Sequence, residues 1–187
     1  MKIGIDRISF HTSHYYVDLK TLASARSVES DKYYVGIGQE KMAIPSPDED
    51  VVTLAASAAW PLMCDGELED VELLLFATES GIDQSKAAGI YVHGLLEMGS
   101  RCRVVELKQA CYSGTAGLQM AIAFVARNPG KKALVIASDV ARYELGSPGE
   151  ATQGCGAVAM VISENPRLVA IDPECGYYTE DVMDFWR

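Results

Sequence analysis

Two apolar runs of strand length, residues 71–76 and 133–137, constrain the fold of this 187-residue chain more than any other feature. Runs of this kind are typical of strands that are covered on both faces, as in a parallel sheet with helices on each side. Strand-like and helical patterns alternate along most of the remaining sequence. We therefore expect a layered α/β domain with right-handed crossovers.

The first part of the chain fits this alternation. Residues 2–10 alternate like an opening strand, and residues 18–26 predict a short helix. A longer helix follows Asp48 or Asp50, since either carboxylate can cap it. Pro61 lies inside that helical pattern, and so we expect it to kink or end the helix.

The second part continues the pattern. Asp83 is placed to cap a helix, and residues 102–107 predict another strand. The helix after Cys111 should stop at residues 128–130, which read Asn-Pro-Gly. The apolar stripe predicted for the helix after Asp83 comprises Ala87, Tyr91, Leu95 and Met98. After this alternation we expect a closing hairpin, formed by strands at residues 156–163 and 168–171.

Charge and cysteine usage exclude several classes of protein. A net charge of −10 and a pI near 4.7 disfavour nucleic-acid and membrane-surface binding, because like charges repel. No segment approaches the roughly eighteen apolar residues of a membrane span, and we expect a cytoplasmic protein. Five cysteines without a CxxC pair and three unclustered histidines argue against both a disulfide framework and a metal site.

Cys111 is the strongest candidate for chemistry. It lies where a predicted strand gives way to a long apolar helix, and a helix N-terminus lowers the pKa of a nearby thiol. Small residues follow at once in SGTAG, so a substrate carbonyl can approach the thiol and the amides at the helix start. The alternative is a buried structural cysteine, which is the commoner role of this residue type.

Two other strand ends carry polar residues. Glu79 follows the run at 71–76, where a confined carboxylate can act as a general acid or base; a solvated loop glutamate is the alternative. Asp139, Tyr143 and Thr152 lie between the run at 133–137 and a glycine-rich strand entry. Functional groups of α/β folds collect at such strand ends.

Several of these segments, taken together and in order, resemble the 3-hydroxy-3-methylglutaryl-CoA synthases, particularly the bacterial mevalonate-pathway enzymes. The resemblance covers essentially the whole chain. It rests on GIDRISF, VGIGQEKMA, FATESGIDQSKAA, VELKQACYSGTAGLQ, ASDVARY, GEATQGCGAVAMVI and YTEDVMDFWR.

The resemblance implies a thiolase-like fold and an acyltransferase. The family condenses acetyl-CoA with acetoacetyl-CoA and uses no cofactor beyond these CoA thioesters. By resemblance, Cys111 is the nucleophile that takes the acetyl group, Glu79 is the general acid/base, and the Cys111 amide is an oxyanion donor. Asp83, Asp139 and Asp184 match acidic positions that support the site. For Asp83, a role as a helix cap explains the residue equally well. Thr152 matches a position that contacts the acetoacetyl substrate, and we add Tyr143 to the predicted substrate-binding residues.

Family members are roughly twice as long and consist of two related halves. The family's catalytic histidine belongs to the second half, and no histidine of this chain matches it. We therefore expect residues 1–187 to form the N-terminal thiolase-like half, with the nucleophile and the acid/base but not the whole site. Such a half exposes a large apolar face, and the family is typically dimeric, so that we also expect a homodimer.

Three alternatives remain open. Similar proteins act on carrier-protein-bound acyl groups in polyketide β-branching, and initiating ketoacyl carrier-protein synthases are more distant relatives. A basic docking surface would favour either one, and this acidic chain does not show one. The third alternative is a non-catalytic remnant or interaction subunit that binds a full-length partner.

Overall fold

The computed structural model describes residues 2–182, which form a mixed α/β unit with a six-stranded and a two-stranded sheet. The order in the larger sheet is β5-β4-β6-β7-β1-β8, and β2 pairs with β3 in the smaller one. The strands are β1 (Ile3–His11), β2 (Tyr15–Asp18), β3 (Lys41–Ile44), β4 (Val71–Ala77), β5 (Arg103–Leu107), β6 (Lys132–Ala141), β7 (Gly154–Glu164) and β8 (Val169–Ala170).

Five helices accompany these strands in the described part of the chain: α1 (Leu19–Ala25), α2 (Asp31–Tyr34), α3 (Val51–Cys64), α4 (Ala88–Leu95) and α5 (Ser113–Arg127). A short 3-10 turn at Glu150–Thr152 precedes β7. None of the helices in residues 2–182 combines the length and apolar character needed to span a bilayer.

The central strands divide their side chains between two cores. Leu74 and Phe76 of β4 lie in the core formed with α3 and α4, whereas Leu73 and Leu75 lie in the core formed with α5. This alternation follows from the two-residue period of a strand. Helices therefore cover both faces of the sheet, and the predicted layered α/β/α arrangement is confirmed.

Strand direction places functional positions at one edge of the sheet. β4 runs parallel to both β5 and β6, while β7 is antiparallel to β6 and to β1. The carboxyl ends of β4, β5 and β6 consequently lie at the same edge. The predicted strands at residues 71–76, 102–107 and 133–137 and the predicted helix after Cys111 are confirmed by these elements.

Helix ends in the first part of the chain follow local capping. Asp18 accepts the N–H groups of Lys20 and Thr21 at the start of α1, which is the short helix predicted at residues 18–26. Asp50, rather than Asp48, caps α3 through a capping box with Thr53.

Pro61 does not end α3, which continues to Cys64, and this part of the prediction is wrong. The missing N–H would have bonded the carbonyl of Ser57. Ser57 and Pro61 both lie on the exposed face, where water can satisfy that carbonyl.

The predicted Asp83 cap and the stripe after it are wrong. α4 begins only at Ala88, and its buried residues are Ala88, Gly89 and Val92, with Leu96 just beyond, while Tyr91 and Leu95 are exposed. The helix lies so close to the sheet that a side chain on Gly89 would meet Leu74 at 2.9 Å. This close approach turns a different face inward from the one predicted.

The predicted closing hairpin is also wrong. β7 pairs with β6 and β1, whereas β8 pairs with the opposite edge of β1, so that β1 lies between the two strands. The chain crosses the end of β1 at Asn165, whose φ is 50° and whose N–H donates to the carbonyl of Lys2. Arg167 then pairs with Asp6 of β1 and fixes the crossing.

Candidate active site

The structure brings the predicted nucleophile and acid/base together. Glu79 follows β4 and Cys111 follows β5, and these two strands are parallel neighbours in the sheet. The Cys111 Sγ donates a hydrogen bond to Glu79 Oε1 over 3.4 Å. Cys111 is exposed and Glu79 is half-buried, so the pair is open to a substrate.

The loop before α5 has an unusual backbone that presents Cys111. Ala110 has a φ of 43°, in the left-handed region that non-glycine residues rarely adopt. Ser113 is buried, and its Oγ accepts the Gln109 N–H at 2.5 Å. Tyr112 precedes the first helical residue, so Cys111 lies just outside the helix start rather than within it. The sharp turn thereby holds the sulfur at the surface.

Asp139 fixes the loop that carries Glu79. Its Oδ1 accepts the Glu79 N–H at 2.8 Å, the Thr78 hydroxyl at 3.1 Å and the Ser80 hydroxyl at 2.9 Å. Ser80 also contacts the backbone of Val140, which follows Asp139 in β6. Asp139 therefore joins β6 to the loop after β4.

The electrostatic expectation for Cys111 has to be corrected. The hydrogen bond to Glu79 and the negative charge of Glu79 hold the pKa of the Cys111 thiol above its ordinary value. A helix N-terminus contributes only about half an elementary charge. A full carboxylate charge 3.4 Å away acts in the opposite sense and outweighs it. The thiol is therefore protonated in the resting site, with an acceptor for its proton beside it.

Asp83 lies in the same loop but has a local role. Its Oδ1 accepts the N–H groups of Ser85 and Lys86, both at 2.7 Å, and these bonds lower its pKa. The first residue of α4, Ala88, donates its N–H instead to the Glu106 carboxylate at 2.6 Å. Glu79, Asp83 and Glu106 all line one open cavity of about 1200 Å³.

The remaining predicted residues lie on the segment between β6 and β7. Thr152 is exposed, and its hydroxyl donates to the carbonyl of Gly149 within the 3-10 turn. Tyr143 is half-buried, its N–H donates to the side chain of Gln153, and its ring lies against Gly149. Asp184 lies outside the described residues.

Several functional contacts were missed from the sequence. Ser80 is adjacent to Glu79 in the sequence, and this proximity could have indicated that it supports the site. Glu106 is a charged residue near the end of a largely apolar predicted strand, which is a weaker indication of a role at the site. The buried Glu150 binds Arg26 through two hydrogen bonds, 2.8 and 2.6 Å long, and 124 positions separate them, so no local pattern predicts this pair.

Between residues 2 and 182, no group of three or more His, Cys, Asp or Glu side chains is arranged to hold a metal ion. His93 is half-buried, and a nitrogen of its ring hydrogen-bonds with the carbonyl of Gly99 at the far end of α4.

Comparisons with known proteins place this geometry in a family. Residues 1–167 match the family described as hydroxymethylglutaryl-coenzyme A synthase N terminal. The chain is 46% identical to the hydroxymethylglutaryl-CoA synthase of Enterococcus faecalis, over all of this chain and 49% of the relative. It is 40% identical to a polyketide biosynthesis 3-hydroxy-3-methylglutaryl-ACP synthase of Bacillus subtilis, over 98% of this chain and 47% of that protein.

A solved structure gives the same result. The chain superposes with a TM-score of 0.97 on an HMG-CoA synthase complexed with CoA, at 43% identity, covering all of this chain and 48% of that one. The chain thus spans about half the length of the relatives it matches. It has the thiolase-like fold, and it belongs to the hydroxymethylglutaryl-CoA synthase family.

Proposed function

We propose that this chain carries the nucleophile and the general acid/base of an enzyme that condenses acetyl-CoA with acetoacetyl-CoA to 3-hydroxy-3-methylglutaryl-CoA. The observation that supports this proposal best is the hydrogen bond between Cys111 Sγ and Glu79 Oε1, 3.4 Å long, in a chain of this family. Both groups are on loops that the sheet and Asp139 hold in place.

The first step is acyl transfer. Cys111 Sγ attacks the thioester carbon of acetyl-CoA, so that a new S–C bond forms as the bond to the CoA sulfur breaks. The thiol proton passes to Glu79, which accepts it in the resting hydrogen bond, and then to the leaving CoA sulfur. The products are acetyl-Cys111 and CoA.

The second step is condensation. Glu79, again a carboxylate, removes a proton from the acetyl methyl group, and the resulting enolate carbon attacks the C3 carbonyl of acetoacetyl-CoA. Glu79 then protonates the new alkoxide. Water hydrolyses the Cys111 thioester, which releases the product with a free carboxylate and restores the thiol.

Oxyanion stabilisation is essential, because a carboxylate is a weak base toward a carbon acid. We assign one donor to the Cys111 amide, which the turn at Ala110 presents beside the sulfur. Asp139 supports Glu79 by positioning its loop, and Asp83 orders the remainder of that loop. We assign substrate contacts to Thr152 and Tyr143, and Asp184 keeps its assignment from the family resemblance.

The rest of the site is proposed to come from a second, related half. Relatives are about twice as long, and the family's catalytic histidine has no match in this chain. Exposed apolar side chains support such a partner: Ile8 and Phe10 of β1 are 49% and 75% exposed, and Met120 of α5 is 51% exposed. Ile8 and Phe10 pair with Met160 and Val158 of β7, which pack on the α5 side of the sheet.

Coenzyme A thioesters as the substrates, a homodimeric assembly and a cytoplasmic location belong to the same proposal. The solved relative complexed with CoA supports the substrate class. No cofactor or metal is required in the scheme, because every step is an acyl or proton transfer.

Acetylation of Cys111 tests the proposal directly. We expect incubation with acetyl-CoA, followed by peptide mass spectrometry, to place one acetyl group on Cys111, and acetoacetyl-CoA to discharge it as product in the complete enzyme. A folded protein that leaves Cys111 unacetylated would contradict the proposal and favour a non-catalytic remnant.

A carrier-protein substrate is the second candidate. The 40% identity to a 3-hydroxy-3-methylglutaryl-ACP synthase supports it. The net charge of −10 opposes it, because acyl carrier proteins are themselves acidic. We expect acetyl-CoA to acetylate Cys111 faster than acetyl-carrier protein does, and the reverse order would select the second candidate.

A further inference from the structure

The loop at residues 78–87, which carries Glu79, is held at both of its ends. Asp139 binds its start through Thr78, Glu79 and Ser80. At its other end, α4 begins after Ala87, which has no side-chain oxygen to cap the helix. Glu106 supplies that acceptor from β5, and its Oε2 receives the Ala88 N–H at 2.6 Å.

A second contact brings the same carboxylate against the beginning of the loop. A β-carbon on Gly81 would lie 3.0 Å from Glu106 Oε1, a distance tighter than ordinary van der Waals contact. One oxygen of Glu106 therefore bonds the end of the loop, and the other faces the backbone two residues after Glu79. Any side chain at residue 81 would press on this carboxylate.

The negative charge of Glu106 is costly at this position. Glu106 lines the same cavity as Glu79 and Asp83, and carboxylates that share a cavity repel one another. The start of α4 compensates for this cost, because exposed amide groups and the positive end of the helix favour an anion. This contact accounts for a half-buried glutamate at this point of an otherwise largely apolar strand end.

Glu106 also belongs to the strand that leads to the nucleophile. It is the second-to-last residue of β5, five positions before Cys111. The residue thus touches the loop of the acid/base while its own backbone continues into the loop of the nucleophile. The distance between Cys111 and Glu79 depends on how these two loops sit relative to one another.

We propose that Glu106 is a positioning residue that sets the Cys111–Glu79 contact by holding the 78–87 loop against β5. This inference rests on the proposed function for its catalytic meaning, although its geometric content does not. The hydrogen-bond acceptor, rather than the negative charge, is what the position requires.

The test follows the rate of Cys111 alkylation by iodoacetamide as a function of pH, read at the Cys111 peptide by mass spectrometry in the full chain. This rate follows the thiolate fraction and therefore the apparent pKa of Cys111. Glu79→Gln defines how far the curve moves when the Glu79 carboxylate is lost. We expect Glu106→Ala to move the curve in the same direction by at least half of that distance.

Two variants separate position from charge. Glu106→Gln keeps an oxygen that accepts the Ala88 N–H, and we expect its curve to coincide with that of the parent protein. Gly81→Ala pushes the Glu106 carboxylate away from the loop by a few tenths of an ångström, and we expect a smaller shift in the same direction as that of Glu106→Ala. In the Glu106→Ala background, Gly81→Ala should cause no further shift, because the atom it would strike is gone.

A merely structural role would give a different result. Glu72→Ala removes a half-buried carboxylate from the opposite end of β4 and serves as a stability control. If Glu106→Ala and Gly81→Ala lower Tm as this control does but leave the alkylation curve in place, the positioning role is wrong. A shift in Glu106→Gln equal to that in Glu106→Ala would also overturn it, since charge would then be the cause.

Folding failure of one variant does not remove the test. If Glu106→Ala does not fold, Gly81→Ala and Glu106→Gln still predict opposite results. Acetyl-CoA plays no part in the alkylation assay. A chain with the expected curves but no acetylation of Cys111 would contradict the proposed function and leave the positioning role intact.

Discussion

Asp139 Oδ1 accepts the backbone N–H of Glu79 at 2.8 Å, which ties the end of β4 to β6 across the edge of the sheet. The same oxygen accepts two hydroxyl groups. A carboxylate that collects three donors in this way is a structural anchor, and the loop it holds carries the group assigned here as the acid/base.

Removal of this anchor should cost stability. We expect Asp139→Ala to lower the free energy of unfolding by about 1–3 kcal/mol, because it leaves partly buried donors without their acceptor. Asp139→Asn retains Oδ1 and should cost less. Urea denaturation followed by circular dichroism measures both, and an equal loss in the two variants would indicate that charge, rather than the acceptor, is what matters.

Glu79→Gln should make Cys111 more reactive toward alkylating agents at neutral pH. The Glu79 carboxylate raises the pKa of the thiol, so its removal lowers that pKa and increases the thiolate fraction. Iodoacetamide labelling across a pH series measures the change at the Cys111 peptide. In the complete enzyme the same variant should still acetylate Cys111, because a thiol of lower pKa can lose its proton to water without Glu79. It should lose condensation, which needs the carboxylate as a base toward the acetyl methyl group; the opposite pattern would refute the assigned roles.

Cys111→Ser should abolish acyl-enzyme formation, since a serine hydroxyl lacks the nucleophilicity of a thiol with a nearby acceptor. Cys64→Ser is the matched control, because Cys64 is also exposed but lies at the end of α3. Mass spectrometry after incubation with acetyl-CoA distinguishes them. Acetylation of another cysteine in Cys111→Ser, at the rate of the parent protein, would remove Cys111 from its assigned role.

Stability should fall in acid through Glu150. Its hydrogen bonds from Arg26, and then from the Gly146 N–H, lower its pKa from 4.5 to about 2. A depressed pKa in the folded state contributes stability above the ordinary value, and this contribution is lost as the pH falls from about 4.5 toward 2. Thermal melts between pH 7 and 2 should therefore show a smaller acid-induced change in Glu150→Gln than in the parent protein.

Ala110→Gly tests the strained turn before the nucleophile. Alanine at a φ of 43° carries a cost of about 1–2 kcal/mol that glycine avoids. Glycine loses more chain entropy on folding, and so we expect the free energy of unfolding to change by less than about 1 kcal/mol. Ala123→Gly, on the exposed face of α5, should instead lose about 1 kcal/mol. Equal losses in urea denaturation would mean that the Ala110 conformation is not strained.

The strands of the larger sheet, the main helices and the position of Cys111 followed from the sequence because each depends on local pattern, whereas β2 and β3 of the smaller sheet were not predicted. The run at residues 71–76 is long enough and apolar enough to be a central strand, and Asp50 and Thr53 form a complete capping motif within four residues. The conjunction of Cys111 with Glu79 followed from the family resemblance, and the structure adds the distance between them.

The errors arose where distant contacts override local pattern. β8 pairs with β1 because Arg167 binds Asp6 and because the chain passes the end of β1 at Asn165. No turn motif in the sequence predicts this pairing. The start of α4 is set by Glu106 from another strand rather than by Asp83. The pKa of Cys111 was predicted from the helix alone, whereas the opposing charge comes from a residue 32 positions away.

The adjacency of β4 and β5 also bears on how this family can diversify. Cys111 and Glu79, the two groups assigned to the chemistry, follow neighbouring strands of a single sheet, so this half of the site holds them together by itself. Acyl donors attached to CoA or to a carrier protein differ far from the reacting carbon. A change from one acyl donor to the other can therefore proceed through substitutions in the second half proposed to complete the site, while Cys111 and Glu79 stay unchanged.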